Sequence, residues 1–194
     1  MAFCGLASAW AKLAFLLLLP AIAIHCAGLA TPYWMKVTTV SSRVNVTVGL
    51  WKQVNCSGEI GAPCYGEPLA AVYKTNLLTV TRTLECMAIV PAFLAIVLSV
   101  YYVTSPTVRT QRVTVWIMTS SFLAMALNVG GAVAWIFNVP SKHFVFWSMG
   151  LSLSGAALFM ICGILMVRDF RMFDYKRLYA QKAGKKGKKP LADN

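Results

Sequence analysis

The stretch WMKVTTVSSRVNVTVGLWKQVNCSGEIGAPC, residues 34–64, decides how this chain is read. It is rich in Val and Thr, whereas the sequence around it is apolar enough to cross a membrane. Val37–Val40 and Val44–Val48 are β-prone and are separated by Ser41-Ser42-Arg43, a turn signal. The second segment alternates Val with polar residues, which predicts one buried face. Trp51–Cys56 reads as a third strand, and Gly58, Gly61 and Pro63 mark a turn before Cys64. Cys56 and Cys64 share this polar loop, and in an oxidising compartment they are predicted to pair. Closing so short a loop contributes about 2–3 kcal/mol by chain entropy. Asn45-Val46-Thr47 and Asn55-Cys56-Ser57 both satisfy the N-glycosylation sequon. Both fall in the one long loop, which favours an extracellular placement.

Outward from that stretch the chain turns apolar. Of 194 residues, 58% are hydrophobic and only 12% charged, against about 25% charged in soluble domains. Four runs are long enough to cross a hydrocarbon core of about 30 Å: 11–31, 84–104, 113–137 and 144–167. They leave an N-terminal segment 1–10, a large loop 32–83, a short turn 105–112, a second outer turn 138–143 and a tail 168–194. The predicted fold is an all-α bundle of four transmembrane helices carrying a small antiparallel β-sheet. The first run reads as a retained helix. A cleaved signal peptide is the competing reading, because Ala21-Ile22-Ala23 resembles a cleavage site.

Polar residues inside the runs are few. His25 and Asn128 read as interhelical hydrogen-bonding residues rather than metal or ion ligands. Arg82 and Glu85 stand three residues apart at the edge of the second run, so a helix places them on one face. They read as an interfacial pair that fixes helix depth. Ala126, Gly130 and Ala134 on the third run, and Gly150, Ser154 and Gly155 on the fourth, predict close helix approach.

The formal net charge is +12. Half of the 18 basic residues crowd into the last 27 positions, a distribution that does not suit nucleic acid. Twelve basic residues, Lys12 at the start of the first run, two in the middle turn and nine in the tail, stand against six in the two outer loops. The positive-inside rule then places both termini in the cytoplasm. The tail is drawn to anionic membrane lipid at about 1 kcal/mol per basic residue close to the surface. No HExxH, CxxC or phosphate-cradling glycine motif occurs. The sequence therefore predicts no enzyme, no metal site and no cofactor.

Trp34, Gly49-Leu50-Trp51, Cys56, Cys64 and Arg82 resemble the W-GLW-C-C signature of the claudin superfamily. That superfamily groups claudins, epithelial membrane and peripheral myelin proteins, and calcium-channel gamma and related receptor-accessory subunits. The resemblance covers about residues 10–170. Four residues separate Trp51 from Cys56 where the family usually has two. The chain ends Ala192-Asp193-Asn194, without the apolar terminal residue of a PDZ ligand. The resemblance implies a plasma-membrane protein of cell–cell contacts, of tight-junction type. Its sheet would associate laterally with copies or related four-span proteins, forming a paracellular barrier or pore. Alternatively it implies an accessory subunit of a channel or receptor, or a myelin-like membrane organiser. For a pore, Lys52 is the candidate lining charge, since Lys36, Arg43, Lys52 and Lys74 outnumber Glu59 and Glu67 in the loop.

Overall fold

A computed structural model describes residues 7–39, 44–56, 63–139 and 143–186. Four helices form: α1 (Ala9–Ala30), α2 (Asn76–Thr104), α3 (Gln111–Asn138) and α4 (Trp147–Lys186). Each is long and apolar enough to cross a membrane, α4 over Trp147–Met172. The chain is thus a multi-pass membrane protein with an antiparallel bundle. The helices begin where a hydroxyl can cap them: Ser8, Thr75 and Thr110 accept from Ala11, Leu78 and Val113 amides. Capping by Thr75 starts α2 at Asn76 rather than at Leu84, where the apolar run begins. The first turns of α2, with Arg82, therefore stand above that run and reach the sheet.

Five strands make one sheet: β1 (Met35–Thr39), β2 (Val44–Val48), β3 (Lys52–Cys56), β4 (Cys64–Pro68) and β5 (Phe144–Val145). Their order is β4-β3-β2-β1-β5, antiparallel throughout. The sequence reading contains neither β4 nor β5. β4 is Gly- and Pro-bearing and lacks alternation, and β5 is a two-residue pairing of Val145 with Met35. β2 does not keep one bare face, because Thr47 and Val48 are both buried. It is the middle strand, flanked on both sides.

The core has two storeys. Next to the sheet, Trp34, Met35, Val48, Leu50, Leu69, Leu78, Trp135 and Met149 pack together. Toward the far end the helices meet mainly through small residues, among them Ala11, Ala14, Ala21, Ala92, Ala95 and Ala124, with Leu18, Ile117 and Phe159. Close approach is set only in part by the residues expected. Ala126 and Ser154 are exposed and Gly150 faces open space. Gly155 does set it, as expected, and Gly28 joins it: a Cβ on Gly28 would lie 2.8 Å from the Ser152 amide nitrogen, and one on Gly155 would lie 3.0 Å from the Ala21 carbonyl oxygen. These two glycines let α1 and α4 touch backbone to backbone.

Candidate functional site

The signature residues converge where the sheet sits on the bundle. Helix α1 ends at Ala30, and its last carbonyls have no partner within the helix. The Ala27 carbonyl takes the Thr31 amide and hydroxyl. Trp34 donates its indole Nε1–H to the Gly28 carbonyl at 2.8 Å, and Trp51 donates its own to the Leu29 carbonyl at 3.0 Å. Two tryptophans from different parts of the sheet thereby close one helix end.

Gly49-Leu50-Trp51 is the turn from β2 to β3, with the Gly49 amide bonded to the Lys52 carbonyl at 2.9 Å. A Cβ on Gly49 would stand 2.5 Å from Pro32 Cα, which is backbone and cannot yield cheaply. Glycine is needed here for close approach. The Leu50 side chain is fully buried, and its carbonyl accepts two bonds from Arg82, through Nε at 2.7 Å and through Nη2. The Arg82 guanidinium also lies over the Trp51 ring at 5.1 Å, a cation–π contact. Trp34 meets Trp135 of α3 edge-on at 5.5 Å. Each signature residue here either caps α1 or ties the β2–β3 turn to α2.

The staple lies at the opposite end of the β3–β4 hairpin. Cys56 and Cys64 are directly opposed partners and are disulfide-bonded, as the sequence predicts. Asn55 lies in β3, where its amide nitrogen donates to Glu67 at 2.6 Å. Asn45 lies in β2, opposite Cys56. Lys52 is exposed at the start of β3, opposite Pro68.

Arg82 and Glu85 do not pair. Arg82 turns up to Leu50, whereas Glu85 points into the bundle and is fully buried. It joins a polar layer to which every helix contributes one side chain: His25 of α1, Glu85 of α2, Asn128 of α3 and Ser152 of α4. Ser152 donates to Glu85 Oε2 at 2.9 Å. Asn128 Nδ2 donates to His25 Nδ1 at 2.6 Å and to the Ser152 carbonyl at 3.1 Å. With Nδ1 accepting, His25 Nε2 carries the proton and donates to the Glu85 carbonyl at 3.2 Å. His25 and Asn128 are thus interhelical hydrogen-bonding residues, as expected. Glu85 Oε1 and Asn128 Oδ1 have no partner among the described residues. Gly131 makes room for the carboxylate, since a Cβ there would lie 2.8 Å from Oε1.

Ser, His and Glu together bring a hydrolase triad to mind, but the wiring differs. In a triad the serine and the carboxylate use opposite imidazole nitrogens. Here Ser152 and Glu85 both face Nδ1, at 3.2 and 3.6 Å, and the serine donates directly to the carboxylate. All four side chains are fully buried, so the layer joins helices and presents no face to a substrate. A sequence signal for the layer exists. Each of its residues falls within ten positions of the sheet end of its helix.

A smaller polar set closes the far end of the bundle. Tyr102 donates to Asp169 at 2.5 Å and accepts from Thr114 at 3.2 Å. Arg109 donates to the Tyr102 and Val103 carbonyls, both at 2.9 Å, and so caps α2. Among the described residues no group of three or more His, Cys, Asp or Glu is placed to hold a metal.

Fold and site define a multi-pass membrane protein whose disulfide-stapled sheet is bolted to one end of its bundle. No protein-family model matches the chain, and no curated protein matches it in sequence.

Proposed function

We propose that this chain is a claudin-like protein of cell–cell contacts, with both termini cytoplasmic and the sheet outside the plasma membrane. The observation that carries this reading is the convergence of Trp34, Leu50, Trp51 and Arg82 on one seat beneath a stapled sheet. Such a seat holds the sheet at a fixed height above the bundle. Strand β4 forms one edge of that sheet, and every one of its residues is exposed. An open edge is a template for pairing with another chain. Neighbouring copies would meet there side by side, and the sheets would line the space between two cells.

In this reading Asn45 is the better glycan acceptor, because disulfide formation at the adjacent Cys56 competes with glycosylation of Asn55. Lys52, exposed on β3, supplies positive charge to the paracellular passage. Fixed charge filters ions only within about 8–10 Å at physiological salt, so its placement decides its effect. The test is expression in epithelial cells that lack junction strands. The expected result is strand formation at contacts and a dilution potential disfavouring sodium, shifted toward sodium by Lys52→Glu. Unchanged resistance and ion ratio, with co-purification of a channel or receptor, would replace this reading with the accessory-subunit one.

A further inference from the structure

At the end of the bundle away from the sheet, α3 and α4 border a groove of about 420 Å³. Its lining is Gln111, Arg112, Val115 and Trp116 from α3, and Phe170 from α4. The volume falls within the range of small-molecule sites, about 300–1,000 Å³. We propose that this groove binds an anionic phospholipid, with its charged head at Arg112 and the start of an acyl chain along Val115, Trp116 and Phe170.

The groove is graded from polar to apolar along the membrane normal. Gln111 and Arg112 open α3, and Val115 and Trp116 follow one turn deeper. Tryptophan favours the boundary between headgroups and hydrocarbon, and Trp116 is largely exposed there. Arginine presents a rigid fork of donors that matches phosphate oxygens.

Charge selects the occupant. Arg109 is bonded to the end of α2, and Arg168 lies over the Trp10 ring at 4.1 Å. Arg112 is exposed and has no intramolecular hydrogen bond or ion pair among the described residues. Arg171, next to Phe170, is exposed as well. Asp169, beside Phe170, is buried, accepts from Tyr102 and does not line the groove. An anionic headgroup gains from that unanswered charge, whereas a zwitterionic one carries its own cation. Basic pockets between helices on the cytoplasmic side suit anionic lipid heads. The cellular source of the lipid rests on the cytoplasmic assignment made above; the groove itself does not.

The test is native mass spectrometry of the full chain in detergent, titrated with phosphatidylserine or phosphatidylcholine of identical acyl chains. The expected result is one phosphatidylserine retained per chain, about fivefold more tightly than phosphatidylcholine. Arg112→Gln should abolish that preference while leaving the melting temperature unchanged. Replacing Lys185, Lys186, Lys188 and Lys189 by Gln should leave it intact. A second readout is tryptophan emission with phosphatidylserine brominated on its acyl chain, whose extra quenching should vanish in Trp116→Phe. Equal retention of the two lipids would overturn the proposal. So would a preference that survives Arg112→Gln and disappears with the tail lysines. Detergent removes membrane sidedness and cell contact, so failure of the junction reading leaves this result standing, and the reverse holds too.

Discussion

At the seat of the sheet, Trp34, Trp51 and Arg82 each end on a backbone carbonyl. Deeper in the bundle, Glu85 and Asn128 each keep an oxygen that has no partner among the described residues. The seat answers a need that exists in any helix, because the last carbonyls of α1 must be satisfied somewhere. It does so with donors that also carry the sheet, so local chemistry and domain placement are one device. The polar layer answers no such need. Four alanines would span the membrane as well, and buried polar groups are costly there. What the layer adds is register: His25 meets a side chain from each of the other three helices only when all four helices are at the correct depth and rotation. The seat therefore governs where the sheet stands, and the layer governs how the helices match.

The largest expected effect breaks the seat. Arg82→Ala strands the buried Leu50 carbonyl and removes the cation over Trp51. Hydrogen bonds to a charged donor contribute about 1.5–3 kcal/mol each way of counting, so a loss of about 2–3 kcal/mol is expected in thermal or denaturant unfolding in detergent. Amide exchange should rise in the β2–β3 turn and leave the far end of the bundle protected. Arg82→Lys keeps the charge but not the fork and should fall between. If Arg82→Ala melted like the wild type, the sheet would have another anchor and the contrast drawn above would fail.

A smaller effect sharpens the comparison from the side of the layer, using two adjacent glycines as variant and control. A Cβ on Gly131 meets the Glu85 carboxylate at 2.8 Å, whereas one on Gly130 meets only Leu84 Cδ1, at 3.6 Å. Gly131→Ala should cost about 1–3 kcal/mol as an overpacked site. Gly130→Ala should stay within about 0.5 kcal/mol of the wild type. Equal effects would mean that Glu85 does not occupy the space beside Gly131.

How much of this was legible in the sequence varies with the physics involved. The four spans were, because hydrophobic length alone sets them. The Cys56–Cys64 bond was, because two cysteines flanked a Gly/Pro turn in one polar loop. His25 and Asn128 were legible as interhelical donors because a polar residue in an apolar run has few other uses. Glu85 was misplaced because spacing along one helix, the three positions from Arg82, was read without the other helices. Its real partners, His25 and Ser152, are 60 and 67 positions away in the chain, and only the bundle brings them together. β4 was missed because Cys64–Pro68 has no alternation to detect, and its pairing with β3 is imposed by the staple. Of the close-packing residues Gly155 was legible, whereas Gly28 was missed and Ala126, Gly150 and Ser154 were misassigned, because every helix carries small residues and the facing of each helix is a tertiary property.

The smallest expected effect lies at the rim of the seat and depends on pH. His143 Nε2 and the Tyr73 hydroxyl are hydrogen-bonded at 3.0 Å, with the rings edge-to-face at 5.7 Å. Both residues stand outside the membrane spans, between the sheet and the helix ends. Burial lowers the His143 pKa from its ordinary value of 6.5 and raises that of Tyr73 from 10.0. Between the folded and unfolded His143 values the unfolded chain binds more protons, so stability rises with pH there. The contribution is therefore complete above about pH 6.5 and is lost as pH falls through the lowered folded value. With Nε2 protonated, the imidazolium donates to the Tyr73 oxygen, so the bond reverses at the same step. Melting measured at pH 7.5 and pH 5.5 should fall further for the wild type than for His143→Gln, which accepts through its amide oxygen without titrating. His25 is present in both proteins, so their difference isolates His143. Identical pH slopes would show that the Tyr73–His143 contact carries no proton linkage, and would leave the rim of the seat as indifferent to acid as its centre.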